Sequence, residues 1–200
     1  MFFSSKILYS GLVLLILIMP IAFSKPSLAD PSQEMQTQQR SSFDRREISS
    51  AMSDYFGVTS EAAGSVVERI FRDLGEPVGY IYGSEGSVAV GVGLRYGKGT
   101  LQMANGDQTR VFWRGPSVGW DVGGNGSKVF TLVYNMQNID QIYQRFPGVE
   151  GTAYLVAGMG VNYQRSDTIT LAPIRTGVGV RLGANVGYLA YSKKRRFIPL

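Results

Sequence analysis

Between Val88 and Met103 the chain alternates. Bulky groups stand at even positions (Val88, Val90, Val92, Leu94, Tyr96) and glycine or alanine at odd ones (Ala89, Gly91, Gly93, Gly97, Gly99). Neighbouring side chains of a strand point to opposite faces, so this run makes a strand with one bulky face and one of nearly bare backbone. A bare face implies either a sharp bend or a neighbour at very short range. The pattern returns over Gly177–Gly187, where Gly177, Gly179, Gly183 and Gly187 share one parity, and more briefly over Ser117–Gly123. A chain built on such segments is committed to curved antiparallel sheet.

From Val78 onward the hydrophobic period is two, and strands are expected at about 78–83, 87–103, 109–115, 117–123, 127–134, 151–164, 167–172 and 176–191. Asn105-Gly106, flanked by alternating residues, is a hairpin signal, and Gly124-Asn125-Gly126 is a second turn. About eight strands this rich in glycine tend to curl and close, which removes exposed edges. The expected fold is therefore mainly β: a small closed or nearly closed antiparallel β-barrel.

Three helices are expected beside it. Asp44 and Glu47 have capping-box spacing and open a helix through Ile48, Met52, Tyr55 and Phe56, ended by Gly57. A second begins near Ser60, with Ala63, Val66, Val67, Ile70, Phe71 and Leu74 on one face, and stops at Gly75. Their apolar stripes read as core contacts. Asn138 is placed to cap a third over Ile139–Phe146, stopped by Pro147-Gly148. Its bulky face (Ile139, Ile142, Tyr143, Phe146) suits the glycine-lined strands, which makes it the expected plug of the barrel. On this reading Gly91, Gly93, Gly179 and Gly183 exist to admit that helix.

The N-terminus reads as a secretory signal. Lys6 precedes an apolar run over Ile7–Phe23, and Ser27-Leu28-Ala29 gives a small-x-small cleavage box before Asp30. Residues 30–43, rich in Gln and Ser, form an expected flexible leader, and 44–200 a single domain. An uncleaved membrane anchor is the alternative for residues 1–29, disfavoured by the shortness of the apolar run.

Charge and missing residue types narrow the function. Of 20 basic residues, Lys6 and Lys25 fall in the expected signal segment and four cluster at Lys193, Lys194, Arg195 and Arg196; the other 14 face 15 acidic ones. So neutral a body offers no nucleic-acid footprint. With no His and no Cys there are no disulfides, thiol nucleophiles or histidine-dependent triads, and no cysteine to carry a lipid anchor. Gly115-Pro-Ser-Val-Gly119 fits the G-x-S-x-G elbow in letters, but that elbow needs a strand-to-helix turn and a histidine. The run from Gly91 to Lys98 fails as a phosphate loop on both spacing and setting. Glu85, Asp107, Asp121 and Asp167 are scattered without metal-ligand spacing and read as turn and loop carboxylates. No enzyme, cofactor or metal is expected, since no carboxylate pair stands out for catalysis. The basic tail is a candidate contact for anionic lipid head groups, each basic residue contributing about 1 kcal/mol near such a surface.

Three runs carry a resemblance: Phe71-Arg-Asp-Leu-Gly-Glu-Pro-x-Gly-Tyr-Ile-x-Gly83, Gly93-Leu-Arg-Tyr-Gly-Lys-Gly-Thr-Leu101 and Gly115-Pro-Ser-Val-Gly-Trp-Asp-Val-Gly-Gly124. From about Ile48 to Tyr191 the chain resembles the DUF1134 family of envelope integrity protein A-like periplasmic proteins. The paired glycine strands are also distantly similar to SYLF (Ysc84-type) lipid-binding domains. The resemblance implies a soluble periplasmic β-barrel that supports envelope integrity, with no catalytic residues to carry over. The expected function is thus non-enzymatic, with an envelope lipid or protein as partner. The alternatives are an integral outer-membrane barrel and a protein-interaction module of the envelope.

Overall fold

The computed structural model describes residues 40–122, 127–176 and 187–196. Helix α1 (Arg45–Phe56) opens with a complete capping box: the Asp44 carboxylate accepts from Glu47 N–H at 2.9 Å, and the Glu47 carboxylate from Asp44 N–H at 2.9 Å. It ends at Gly57, in the left-handed region at φ 73°. Helix α2 (Ser60–Leu74) is capped by Thr59 and stopped by Gly75, at φ 77°. The chain enters this layer at Phe43, whose N–H donates to Pro77 O at 2.9 Å and whose ring meets Tyr80 edge-on at 5.1 Å.

Strand β1 (Gly79–Met103) runs for 25 residues and joins two of the expected strands. Its first part pairs with β3 (Ser127–Tyr134), from Gly79↔Val133 to Glu85↔Ser127. Its remainder pairs with β2 (Gln108–Val122), from Val88↔Val122 to Gln102↔Gln108. The β1–β2 turn is the expected one: Gly106 has φ 95°, and Asp107 N–H donates to the Asn105 side chain at 3.0 Å. Although β1 is long, its ends meet, for Ala104 N–H donates to Val78 O at 2.9 Å. The strand coils through its own length.

Shorter strands follow: β4 (Arg145–Pro147), β5 (Tyr154–Val156), β6 (Met159–Val161), β7 (Gln164–Ser166), β8 (Ile169–Arg175) and β9 (Tyr188–Ser192). The single strand expected over 151–164 is broken because Ala157 and Gly158 both take positive φ, 49° and 76°, making a tight turn between β5 and β6. The strand expected over 176–191 is seen as β9. Residues 177–186, the turn at Gly124–Gly126 and the signal segment 1–29 lie outside the described residues.

The sheet order is β4-β9-β2-β1-β3-β8-β6-β5, with β7 also on β8. A bridge between Gly148 and Gln164 brings the end of β4 to β7, so the sheet curls back on itself as expected. β3 shows how the two faces divide. Phe130, Leu132 and Tyr134 look outward and pack under α1 and α2 with Ile48, Met52, Val66 and Ile70. Val129 and Val133 look inward to a second core with Ile81, Leu101, Trp113, Leu171 and Tyr191.

The plugging helix is corrected. Over the expected 139–146 only Ile139–Ile142 is helical, as one 3₁₀ turn capped by Asn138, and Arg145–Pro147 is strand β4 on β9. The residue before a proline is pushed out of the helical region, so Pro147 holds Phe146 extended. The apolar stripe still enters the inner core, with Ile142 and Phe146 fully buried, but from a turn and a strand. The glycine faces serve other neighbours too. The Trp113 indole lies on Gly97, while Gly83 and Gly99 let the two arms of coiled β1 touch backbone to backbone. The side-chain faces of Gly91 and Gly93, and all of Gly179 and Gly183, lie outside the described residues.

Candidate functional site: a basic cleft over a buried carboxylate

Glu85 continues the inward parity of Ile81 and Gly83 at the point where β1 passes from β3 to β2. It is 6% exposed, which corrects its reading as a turn carboxylate. Its Oε1 accepts from Arg175 Nε at 2.6 Å and lies 3.6 Å from Arg95 Nε; its Oε2 accepts from Trp113 Nε1–H at 3.0 Å. Arg175 Nη1 also donates to Asn162 Oδ1 at 2.7 Å. Burial alone would raise the Glu85 carboxyl. The Arg175 charge, then Arg95, and the hydrogen bonds from Arg175 and Trp113 outweigh it and hold the group below its ordinary value.

Beside this network lies a cleft of about 160 Å³. Tyr96, Lys98, Phe112 and Arg114 reach it from β1 and β2, whose register sets Tyr96 opposite Arg114 and Lys98 opposite Phe112. Arg195 and Arg196 complete the wall. They arrive there because the chain turns after β9. Ser192 Oγ donates to Lys194 O at 2.8 Å, and Lys193 is held by Asp140 at 2.7 Å and by the Tyr143 ring, 5.1 Å from its centroid. The hydrogen bond and charge of Asp140 raise the Lys193 ammonium above its usual value.

The four basic residues read from the tail are thus divided. Arg195 and Arg196 join the cleft, Lys193 clips the tail to the 3₁₀ turn, and Lys194 is exposed. Lys98 and Arg114 are cleft residues the sequence reading did not single out. The signal was the opposition of β1 and β2 across Asn105-Gly106, which puts positions summing to 210 side by side. Among the described residues, four cations (Lys98, Arg114, Arg195 and Arg196) line the cleft together with one carboxylate, Glu85, which is held by Arg175, Arg95 and Trp113. Basic side chains gathered at one cleft raise the local positive potential, which attracts anions.

The chemical motifs dissolve in this setting. Gly115 to Gly119 runs on within β2, paired with Arg95 to Gly91, so no strand-to-helix elbow forms. Among the described residues no three acidic side chains come together to hold a metal ion, and no helix is long and apolar enough to cross a membrane.

Comparison with known proteins agrees with the fold. No curated protein matches the sequence. A crystal structure of a β-barrel-like, uncharacterised protein from Brucella abortus is 46% identical, with a TM-score of 0.73, covering 80% of this chain and 99% of that one. The profile of the family described as envelope integrity protein A matches residues 41–200. That span contains both helices, every described strand and the described residues of the basic cleft, and the chain belongs to the envelope integrity protein A family.

Proposed function

We propose that this chain is a non-enzymatic, soluble periplasmic protein that supports the cell envelope by holding an anionic envelope component at the basic cleft of its barrel. The envelope role follows from family membership. The binding role rests on one observation: among the described residues, four basic side chains line a cleft beside Glu85, whose carboxylate is held by Arg175 and Arg95. Export is supported by the signal segment, with its basic start, apolar run and cleavage box ending at Ala29. The lack of His and Cys supports a binding role over catalysis.

An integral outer-membrane barrel presents an apolar band to lipid on its outer face. Here α1 and α2 occupy that face over β3 and β8, which favours the soluble reading. Two experiments test the proposal. Osmotic-shock fractionation should release the protein into the periplasmic fraction; recovery only from detergent-extracted outer membrane would overturn the localisation. Co-sedimentation with anionic vesicles should exceed that with neutral ones and fall in a chain ending at Ser192. If neither form pellets with either vesicle, the partner is an envelope protein instead.

A further inference from the structure

We propose that two copies of this chain pair through strand β5, edge to edge and antiparallel, about a two-fold axis at Leu155. No residue of the basic cleft takes part, so pairing and vesicle binding stand or fall separately. The bridge from Gly148 to Gln164 brings β4 to β7, but β5 lies at the other end of the strand order, beyond β6. Among the described residues no strand takes its far side. Ala157 and Gly158 both have positive φ, 49° and 76°, as a two-residue type I′ turn requires. Val156 and Met159, which flank that turn, therefore exchange hydrogen bonds, and Leu155 turns its N–H and C=O toward the open edge.

That edge is unguarded. Edge strands are ordinarily blunted by lysine, proline or an inward-pointing charge. From Gly151 to Gly158 the chain reads Gly-Thr-Ala-Tyr-Leu-Val-Ala-Gly, with no charge and no proline. Leu155 is 46% exposed, the one large apolar side chain so exposed among the described residues. Tyr154 and Val156 face the other way, onto the helix layer.

A second copy suits this edge because the strand is compatible with itself. On a two-fold axis at Leu155 that side chain stands opposite its own copy and covers it. Tyr154 of each copy then stands opposite Val156 of the other, a favourable aromatic–β-branched pair. The charges beside the strand balance within one copy. Arg69 lies over the Tyr154 ring, 5.3 Å from its centroid, and pairs with Asp73 at 3.6 Å; Arg72 pairs with Glu68 at 3.3 Å. Two copies thus approach without like-charge repulsion. The pair consumes the edge of both, so assembly stops at two. Three residues a side bury far less than the roughly 1,200 Å² of a stable interface, so the dimer is weak and depends on concentration.

The test uses the mature chain and three variants at exposed positions: Leu155→Lys, Leu155→Cys and Ser50→Cys. In sedimentation velocity the parent should shift toward the mass of two copies as its concentration rises. Leu155→Lys sets two ammonium groups face to face and should stay a monomer throughout. Because the chain has no cysteine, a disulfide in either thiol variant can only join two copies. Hydrogen-bonded antiparallel neighbours have Cα atoms about 5.5 Å apart, within reach of a disulfide. With oxidised glutathione, Leu155→Cys should therefore crosslink about tenfold faster or more than Ser50→Cys, through its higher effective concentration. The pairing is overturned if the two thiol variants crosslink alike. It is equally overturned if Leu155→Lys sediments as the parent does at every concentration.

Discussion

The indole of Trp113 lies on the backbone of Gly97 so closely that a Cβ added to the glycine would overlap ring atoms Cε2, Nε1 and Cζ2. The ring has little room to yield. Its Nε1–H is bound to Glu85 at 3.0 Å and its face is tilted against Tyr191, with centroids 5.8 Å apart. Gly97→Ala should therefore overpack the inner core and cost about 1–3 kcal/mol. Urea denaturation measures this, and a midpoint equal to the parent's would show that the ring moves freely.

Glu85→Gln keeps the volume of the side chain and an acceptor for Trp113 but removes the charge that Arg175 and Arg95 share. Breaking a buried pair leaves an uncompensated charge, and the expected cost is about 3–5 kcal/mol at neutral pH. The carboxyl lies below its ordinary value in the folded protein. Its contribution is thus fully present above the unfolded value of 4.5 and is lost as pH falls through the lower folded value. Denaturation midpoints taken downward from neutral pH should fall more steeply for the parent than for the variant. Parallel curves would show that another carboxylate governs the acid limb.

Phe130 joins the sheet to the helices. It stacks on Tyr80 with centroids 5.1 Å apart and an interplanar angle of 12°, and it meets Tyr55 and Phe56 at 6.2 and 6.3 Å. Phe130→Ala should cost about 3–5 kcal/mol by emptying that layer. Calorimetric melting in buffer without detergent would register the loss; a barrel whose outer face met lipid would show no such penalty there.

At alkaline pH the tyrosines decide the outcome. Burial first of all raises the phenols of Tyr134, Tyr154, Tyr163 and Tyr191 above the ordinary 10.0. At Tyr163 the hydrogen bonds with Tyr154 and Asp73 add to it. The stability tied to these neutral phenols is complete below pH 10 and lost as pH rises beyond it. Phenolate absorbance should therefore appear in two stages, exposed tyrosines first and the buried set together with loss of near-ultraviolet dichroism. One smooth titration with the fold intact would contradict this.

The sequence made some features legible and hid others for physical reasons. Both helices and the Asn105-Gly106 turn were readable because each is fixed by residues within a few positions: Asp44 with Glu47, Gly57, Gly75, and Asn105 with Asp107. The curl was readable from the alternation of glycine. What filled the bare faces was not. Trp113 comes to Gly97 by register across a hairpin, and the arms of β1 meet through coiling, neither of which a periodicity reports. The helix expected over 139–146 shows a local rule overruled by another: its apolar spacing was right, but Pro147 and the pairing of β4 with β9 held Phe146 extended. The cleft stayed hidden because its residues lie far apart in the chain and meet through β1–β2 and β2–β9 pairing. Glu85 looked like a loop residue until its parity with Ile81 placed it inside.

Strand β9, Tyr188–Ser192, lies between β2 and β4 in the sheet. Its neighbours are synthesised long before it, and each presents an unsatisfied edge until it arrives. The nascent barrel is thus an open strip through most of its translation, with two edges able to pair with any passing strand. Closure and assembly of the cleft coincide, because the residues that follow β9 are Lys193, Lys194, Arg195 and Arg196. Only a chain that has passed β9 carries the Arg195–Arg196 wall of the cleft.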